Sequence, residues 1–213
     1  MSSGHAPARP QGIVLVVDDD ESMRDALDGP LRSAGWDVES FADAAEFLQR
    51  PPVGRPACLL LEARLPGTSG LELQRLLTQR GDAPPIVFMT GQGDIAMSVR
   101  AMKAGAVEFL SKPFEVDELL DAVSGALERD ARAWRERAEV STLRRRVELL
   151  SQREREVMDL IVRGMLNKQV AAVLDITEMT VKVHRRRVMD KMRARSLPDL
   201  VRMAGRLHAV LVD

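Results

Sequence analysis

Five short apolar runs, set apart by stretches of helical length, constrain residues 11–128 more than any other feature of the chain. The runs are IVLVV (13–17), DVESF (37–41), ACLLL (57–61), PIVFMT (85–90) and AVEFLS (106–111). Three are almost continuously apolar, the pattern of strands covered on both faces. Amphipathic stretches at 21–34, 42–49, 69–79, 94–104 and 115–127 alternate with them. This alternation predicts a parallel, doubly wound α/β sheet whose ligand sits at the C-terminal strand ends. Pro30 lies inside the first helical stretch, where a missing N–H and a ring clash predict a kink or break.

The strand ends carry the chemistry. The first strand runs into Asp18-Asp19-Asp20-Glu21, the third ends in Glu62, the fourth in Thr90, and the fifth reaches Lys112-Pro113. Carboxylates crowded at one edge repel each other, which suits a hard divalent cation among them. Mg²⁺ needs few protein oxygens beside water and phosphate. Asp20 and Glu21 read instead as helix N-terminal residues.

The chain has 213 residues, 45% hydrophobic and 30% charged, which fits two modest soluble domains. Aromatics are only 3%, with no Tyr, which argues against an aromatic platform for single-stranded nucleic acid. The lone Cys58 excludes an internal disulfide and a multi-cysteine zinc site, and within ACLLL it reads as a buried thiol. No apolar stretch approaches the ~20 residues of a membrane helix. The opening MSSGHAPARPQG reads as a disordered tail (1–10), so the expected location is cytoplasmic, with no membrane partner.

The net charge of −1 hides a split. Residues 11–130 hold 11 Lys/Arg against 21 Asp/Glu, whereas residues 151–213 hold 13 against 8. The basic part reads as four helices, 151–163, 167–174, 178–192 and 197–207. Ser151 and Glu154 form a capping-box signature, and Gly164 ends the first helix. The third helix carries Lys182, Arg185, Arg186, Arg187 and Lys191 after a short turn, Asp175-Ile176-Thr177. A basic helix entering from a capped turn suits the major groove of double-stranded DNA. His184 has no second His or Cys at metal spacing, so a metal role is rejected.

Between the halves, apolar residues at 120, 123, 127, 131, 134 and 138 hold a 3–4 spacing that slips and resumes at 140, 143, 147 and 150. This predicts a long helix with a stutter or break near Val140, and a linker over 129–147 that could contribute to dimerisation.

The motifs VVDDD (16–20), LLLEARLPGTSG (59–70), MTGQGD (89–94) and MKAGAVEFLSKPF (102–114) resemble the receiver domain of bacterial response regulators, over about 11–128. The motifs LSQREREVMDLIVRG, NKQVAAVLDIT and TVKVHRRRVMDKM resemble the four-helix LuxR/NarL DNA-binding domain, over 148–208 of an expected domain at 148–213. The pair together, with MRDAL and NKQVA, is most similar to the FixJ subgroup. The resemblance implies a flavodoxin-like sheet of order 2-1-3-4-5, a sensor histidine kinase as phosphoryl donor, promoter DNA as target and a homodimer as the active form. It implies Mg²⁺ held by Asp18, Asp19, the acceptor position and the Arg64 carbonyl. Thr90 and Lys112 would contact the phosphoryl group, Phe109 would be the switch residue, and Lys112-Pro113 would be cis. Val99 and Lys103 would belong to the dimer contact. Lys182, Val183 and Arg186 would face bases, with Thr180, His184, Arg185, Arg187 and Lys168 as phosphate or positioning contacts.

One departure is central. Glu62 stands where the family has its phosphoacceptor aspartate, and the extra methylene moves the carboxylate roughly 1.5 Å outward. Glu62 is thus expected to be a poor acceptor or a stand-in for the phosphorylated state. The alternative is an atypical receiver regulated by ligand or partner binding, without phosphorylation. A Mg²⁺-dependent phosphohydrolase would need a cap insertion, and the alternation leaves no room for one, so no enzyme is expected.

Overall fold

A computed structural model describes residues 12–81, 83–91 and 95–209. The expected tail at 1–10 and the end of MTGQGD lie outside the described residues. Elements follow in the order β1 (Ile13–Val17), α1 (Glu21–Ser33), β2 (Asp37–Phe41), α2 (Ala44–Gln49), β3 (Ala57–Glu62), α3 (Gly70–Arg80), β4 (Ile86–Gly91), α4 (Ile95–Lys103), β5 (Glu108–Lys112) and α5 (Val116–Glu148). Four more helices complete the chain: α6 (Gln152–Val162), α7 (Asn167–Leu174), α8 (Glu178–Met192) and α9 (Leu197–Ala209).

The five strands form one parallel sheet of order β2-β1-β3-β4-β5, the doubly wound receiver fold. Alternate side chains of β1 and β3 feed opposite cores. Ile13, Leu15, Val17, Leu59 and Leu61 pack with Phe47, Leu73 and Phe88 on one face. Val14, Val16, Cys58 and Leu60 pack with Leu27, Leu31, Leu119 and Val123 on the other. This two-sided burial is why the runs read as unbroken apolar stretches. Burial among apolar neighbours pushes the Cys58 thiol far above its ordinary pKa, with Asp130 adding to the effect, so the thiol stays protonated.

Three expectations need correction. Helix α1 continues through Pro30. Gly29 has no Cβ to clash with the proline ring, and the helix absorbs the one hydrogen bond that Pro30 cannot donate back toward Ala26. Helix α5 also continues without a break past Val140. Its apolar seam slips because it serves two cores: Leu119, Val123 and Leu127 pack under the sheet, whereas Leu143 packs with α6–α9. The chain divides into two compact units between Trp134 and Arg135, within this helix. Finally, β5 starts two residues later than expected, because Ala106 closes α4 by donating to the Ala101 carbonyl, beside Gly105 at φ 97°.

In the second unit, α6–α9 enclose Val157, Ile161, Val170, Val181, Val188, Met192 and Leu200. Ser151 accepts from the Glu154 N–H while Glu154 accepts from the Ser151 N–H, so the capping box is complete.

Candidate functional site

The C-terminal strand ends bring Asp18, Glu62, Thr90 and Lys112 to one sheet edge. Asp18 closes β1 and is 1% exposed; Glu62 closes β3 and is 7% exposed. Helix α3 starts hard against this point, for a Cβ at Gly70 would lie 2.5 Å from the Glu62 carbonyl oxygen. Only glycine allows that approach.

Lys112 bridges the two carboxylates. Its Nζ donates to Asp18 Oδ2 at 2.7 Å and to Glu62 Oε2 at 2.6 Å. The other oxygens are held by the backbone: Asp18 Oδ1 accepts from Asp20 N at 3.0 Å, and Glu62 Oε1 accepts from Arg64 N at 3.0 Å. Burial opposes the charge on Lys112, but bonds to Asp18 and Glu62 and their negative charges outweigh it, so its pKa is raised. Peptide bond Lys112-Pro113 is cis.

Thr90 sits at the same edge with a different status. It is buried, and its hydroxyl has no hydrogen-bond partner among the described residues. A buried hydroxyl without a partner is costly, and this one is left able to donate to an anion at the sheet edge. Phe109 is half-buried against the sheet core. Asp19 is exposed beside buried Asp18, and Asp20 caps α1 by accepting from Ser22 N at 2.9 Å.

Among the described residues, no group of three or more His, Cys, Asp or Glu side chains is arranged to hold a metal. The residues on hand are the side chains of Asp18, Asp19 and Glu62 and the Arg64 carbonyl, an all-oxygen set that suits a hard cation completed by water. Arg24 was not foreseen from the sequence. Its Nη1 donates to the Asp18 carbonyl at 2.7 Å and fixes the turn carrying the acidic pair. The signal was its position one turn into the helix that follows those acids.

Val99 and Lys103 are both exposed on α4, as is Met102. Val99, Met102 and Val116 are among the few large apolar side chains the receiver unit leaves exposed.

In the second unit, α7 and α8 form the helix-turn-helix, with Asp175 left-handed at φ 52° ending α7 and Thr177 capping α8. The cations of α8 divide by role. Lys182, Arg186 and Arg187 are exposed. Arg185 is half-buried and donates to Asn167 Oδ1 at 3.1 Å, tying α8 to α7. Lys191 donates to buried Glu154 at 2.6 Å, so it belongs to the internal structure. Thr180 bonds the capping Thr177 through both its N–H and its hydroxyl. Lys168 is exposed on α7; His184 is half-buried, with Nδ1 buried and unpartnered. Met179, 67% exposed, shares a face with Lys182, Val183 and Arg186 by helical spacing. Its place among core methionines in the sequence concealed it.

The Lys191 bond, followed by the Ser151 bonds, holds the Glu154 pKa below the usual carboxylate value, against the opposing effect of burial. A lowered folded-state pKa contributes stability above the unfolded value of about 4.3, and that stability is lost as pH falls through the folded value. Glu154→Gln is therefore expected to lower Tm at pH 7, at a cost of about 1–3 kcal/mol. By calorimetry the gap from the parent protein should narrow as pH falls below the unfolded value. A gap independent of pH would remove this assignment.

The comparisons with known proteins agree with this geometry. Residues 14–124 match the response regulator receiver domain, and residues 148–204 match the luxR family of bacterial regulatory proteins. The chain is 51% identical to nodulation protein W of Bradyrhizobium diazoefficiens, covering 96% of this chain and 90% of that one. It is 42% identical to the transcriptional regulatory protein FixJ of the same species, covering 92% and 96%. The structure of the response regulator StyR superposes with a TM-score of 0.83 at 48% identity, covering 91% of this chain and 98% of that one. No described helix is long and apolar enough to cross a membrane. Receiver and helix-turn-helix together make this chain a member of the two-component response regulators with a LuxR-type DNA-binding domain.

Proposed function

We propose that this chain is a transcriptional response regulator whose receiver controls dimerisation and promoter binding, with Glu62 acting as a partial stand-in for a phosphoryl-aspartate. The observation that carries this reading is the Glu62 carboxylate on Lys112 at 2.6 Å, beside a Thr90 hydroxyl with no partner among the described residues. A phosphoryl group would offer three acceptor oxygens, enough for both residues. Glu62 supplies one fixed charge that engages Lys112 and the Arg64 N–H and leaves Thr90 without a partner. The switch is thereby biased and left incomplete.

Asp18, Asp19, Glu62 and the Arg64 carbonyl would hold Mg²⁺, which supplies charge neutralisation for an incoming phosphoryl group from a histidine kinase. Arg24 steadies the turn that presents the acidic pair. Thr90, drawn toward added negative charge, would vacate space for Phe109 to turn inward and reshape the α4–β5 surface. That surface would carry the dimer contact, with Val99 and Lys103 in it. Two subunits then present two copies of the α8 face to neighbouring half-sites.

Val99→Ala with Lys103→Glu is expected to lower the dimer fraction in analytical ultracentrifugation and to weaken binding to a two-half-site operator. Sedimentation unchanged across concentrations would move the dimer contact elsewhere. Regulation by a ligand or partner alone, without phosphoryl transfer, would show as dimerisation indifferent to both the donor and the residue at position 62.

A further inference from the structure

Away from the acidic edge and the α8 face, the second unit contains a groove between the C-terminal part of α5 and α9. It encloses about 740 Å³. Ala138, Leu143 and Met203 give it an apolar floor, and Arg146, Arg202 and Arg206 line it. A second hollow of about 690 Å³ shares Arg146, Arg202 and Met203 and adds Arg193 and Arg195. Together the two hollows are lined by six arginines against two carboxylates, Glu139 and Asp199.

The two acids do not neutralise this surface. Asp199 Oδ2 is committed to the cap of α9, accepting from Arg195 N at 2.9 Å, which leaves Oδ1 for Arg202 at 3.1 Å. Glu139 pairs with Arg206. The side chains of Arg202 and Arg206 are 75% and 61% exposed, and such ion pairs hold weakly enough for a more highly charged anion to displace them. Among the described residues neither Arg193 nor Arg195 forms a close ion pair, although the charge of Arg195 also acts on Asp199. Arg193 also adopts φ 55°, a left-handed conformation that glycine takes without cost.

We propose that this groove binds a small phosphate-bearing anion with an apolar body, of the nucleoside di- or triphosphate class. Guanidinium forks match phosphate oxygens in pairs, and the floor of Leu143 and Met203 would take the base. A groove of this volume falls within the range of small-molecule sites. The backbone of operator DNA offers the same phosphate chemistry. However, Arg193 lies about 16 Å along the helix from Lys182, by a rise of 1.5 Å per residue, beyond the end of the face assigned to bases. A flexible, free phosphate ester therefore fits the groove better.

The test is calorimetric titration of the full chain with ATP, GTP and inorganic pyrophosphate. EDTA is included so that no metal bridges phosphate to the receiver carboxylates. ATP or GTP should bind, and Arg193→Gly with Arg195→Gln should weaken binding about tenfold or more. Arg193→Gly suits the left-handed backbone, so Tm should stay level or rise, which separates lost binding from lost fold. Arg202→Gln with Arg206→Gln should show a comparable loss. Pyrophosphate binding as tightly as ATP would overturn the role of the apolar floor. No binding of either nucleotide, with a loss of operator affinity in the same variants, would overturn the proposal and make the arginines DNA-backbone contacts. Absence of both effects would leave them a solvated surface and equally overturn it.

Discussion

Glu62→Asp is expected to turn a protein that acetyl phosphate leaves unlabelled into one that it labels nearly to completion, in the presence of Mg²⁺. In-line attack on phosphorus tolerates little displacement of the acceptor oxygen, and misplacement near 1 Å can cost about 10²-fold. The glutamate is roughly one C–C bond too long. Its two oxygens are also spoken for, one by Lys112 at 2.6 Å and one by Arg64 N at 3.0 Å. The shorter side chain would retract from Lys112 and open the space before Thr90. The rest of the machinery is in place around it: Asp18, Asp19, Thr90 and Lys112 occupy the same sheet edge. Dimerisation should follow the same exchange. The parent protein should show partial dimer without a donor, and the Glu62→Asp variant should dimerise only when labelled. Intact-mass measurement followed by peptide mapping decides. A phosphoryl adduct on the unaltered protein at Glu62 would falsify the stand-in reading. A strictly monomeric, unlabelled parent protein would instead mean a switch held off.

What the sequence made legible and what it concealed divide along a physical line. The central strands were legible because two-sided burial forces nearly continuous apolar runs, and β1 and β3 begin where those runs begin. The chemistry at the strand ends was legible as residue types. Which oxygen meets which donor was not, since Lys112 reaches Asp18 and Glu62 across 94 and 50 residues of chain. The sequence also placed Lys191 and Arg185 in the basic cluster of α8 without showing their partners. Lys191 bonds Glu154, 37 residues away, and Arg185 bonds Asn167, 18 residues away. Such pairings are set by tertiary packing, which helical periodicity within α8 does not encode. The slip near Val140 was a true signal read one step wrongly: it marks a change of packing partner along one continuous helix.

The same division of α8 sets the second large effect. Lys182→Ala and Arg186→Ala should each weaken specific operator binding by about 1–3 kcal/mol, because exposed cations on one face can reach base edges. Val183, 44% exposed, and Met179 flank them and could meet a thymine methyl. Substitution of exposed Arg187 or Lys168 should act differently, weakening all sequences about equally and reducing the salt slope by about 1 each. Arg185→Ala should loosen α8 from α7 by loss of the Asn167 bond, and Lys191→Ala should lower Tm without altering base preference. The measurement needs the full chain, because a fragment starting at residue 148 would lack Leu143, which is 6% exposed in the core of this unit. Titrations against the operator and a scrambled duplex at several salt concentrations separate the classes. Full operator affinity in the Lys182→Ala/Arg186→Ala double variant would sink the assignment of this face. A uniform loss on both duplexes would recast Lys182 and Arg186 as phosphate contacts and leave base reading to residues elsewhere on α8.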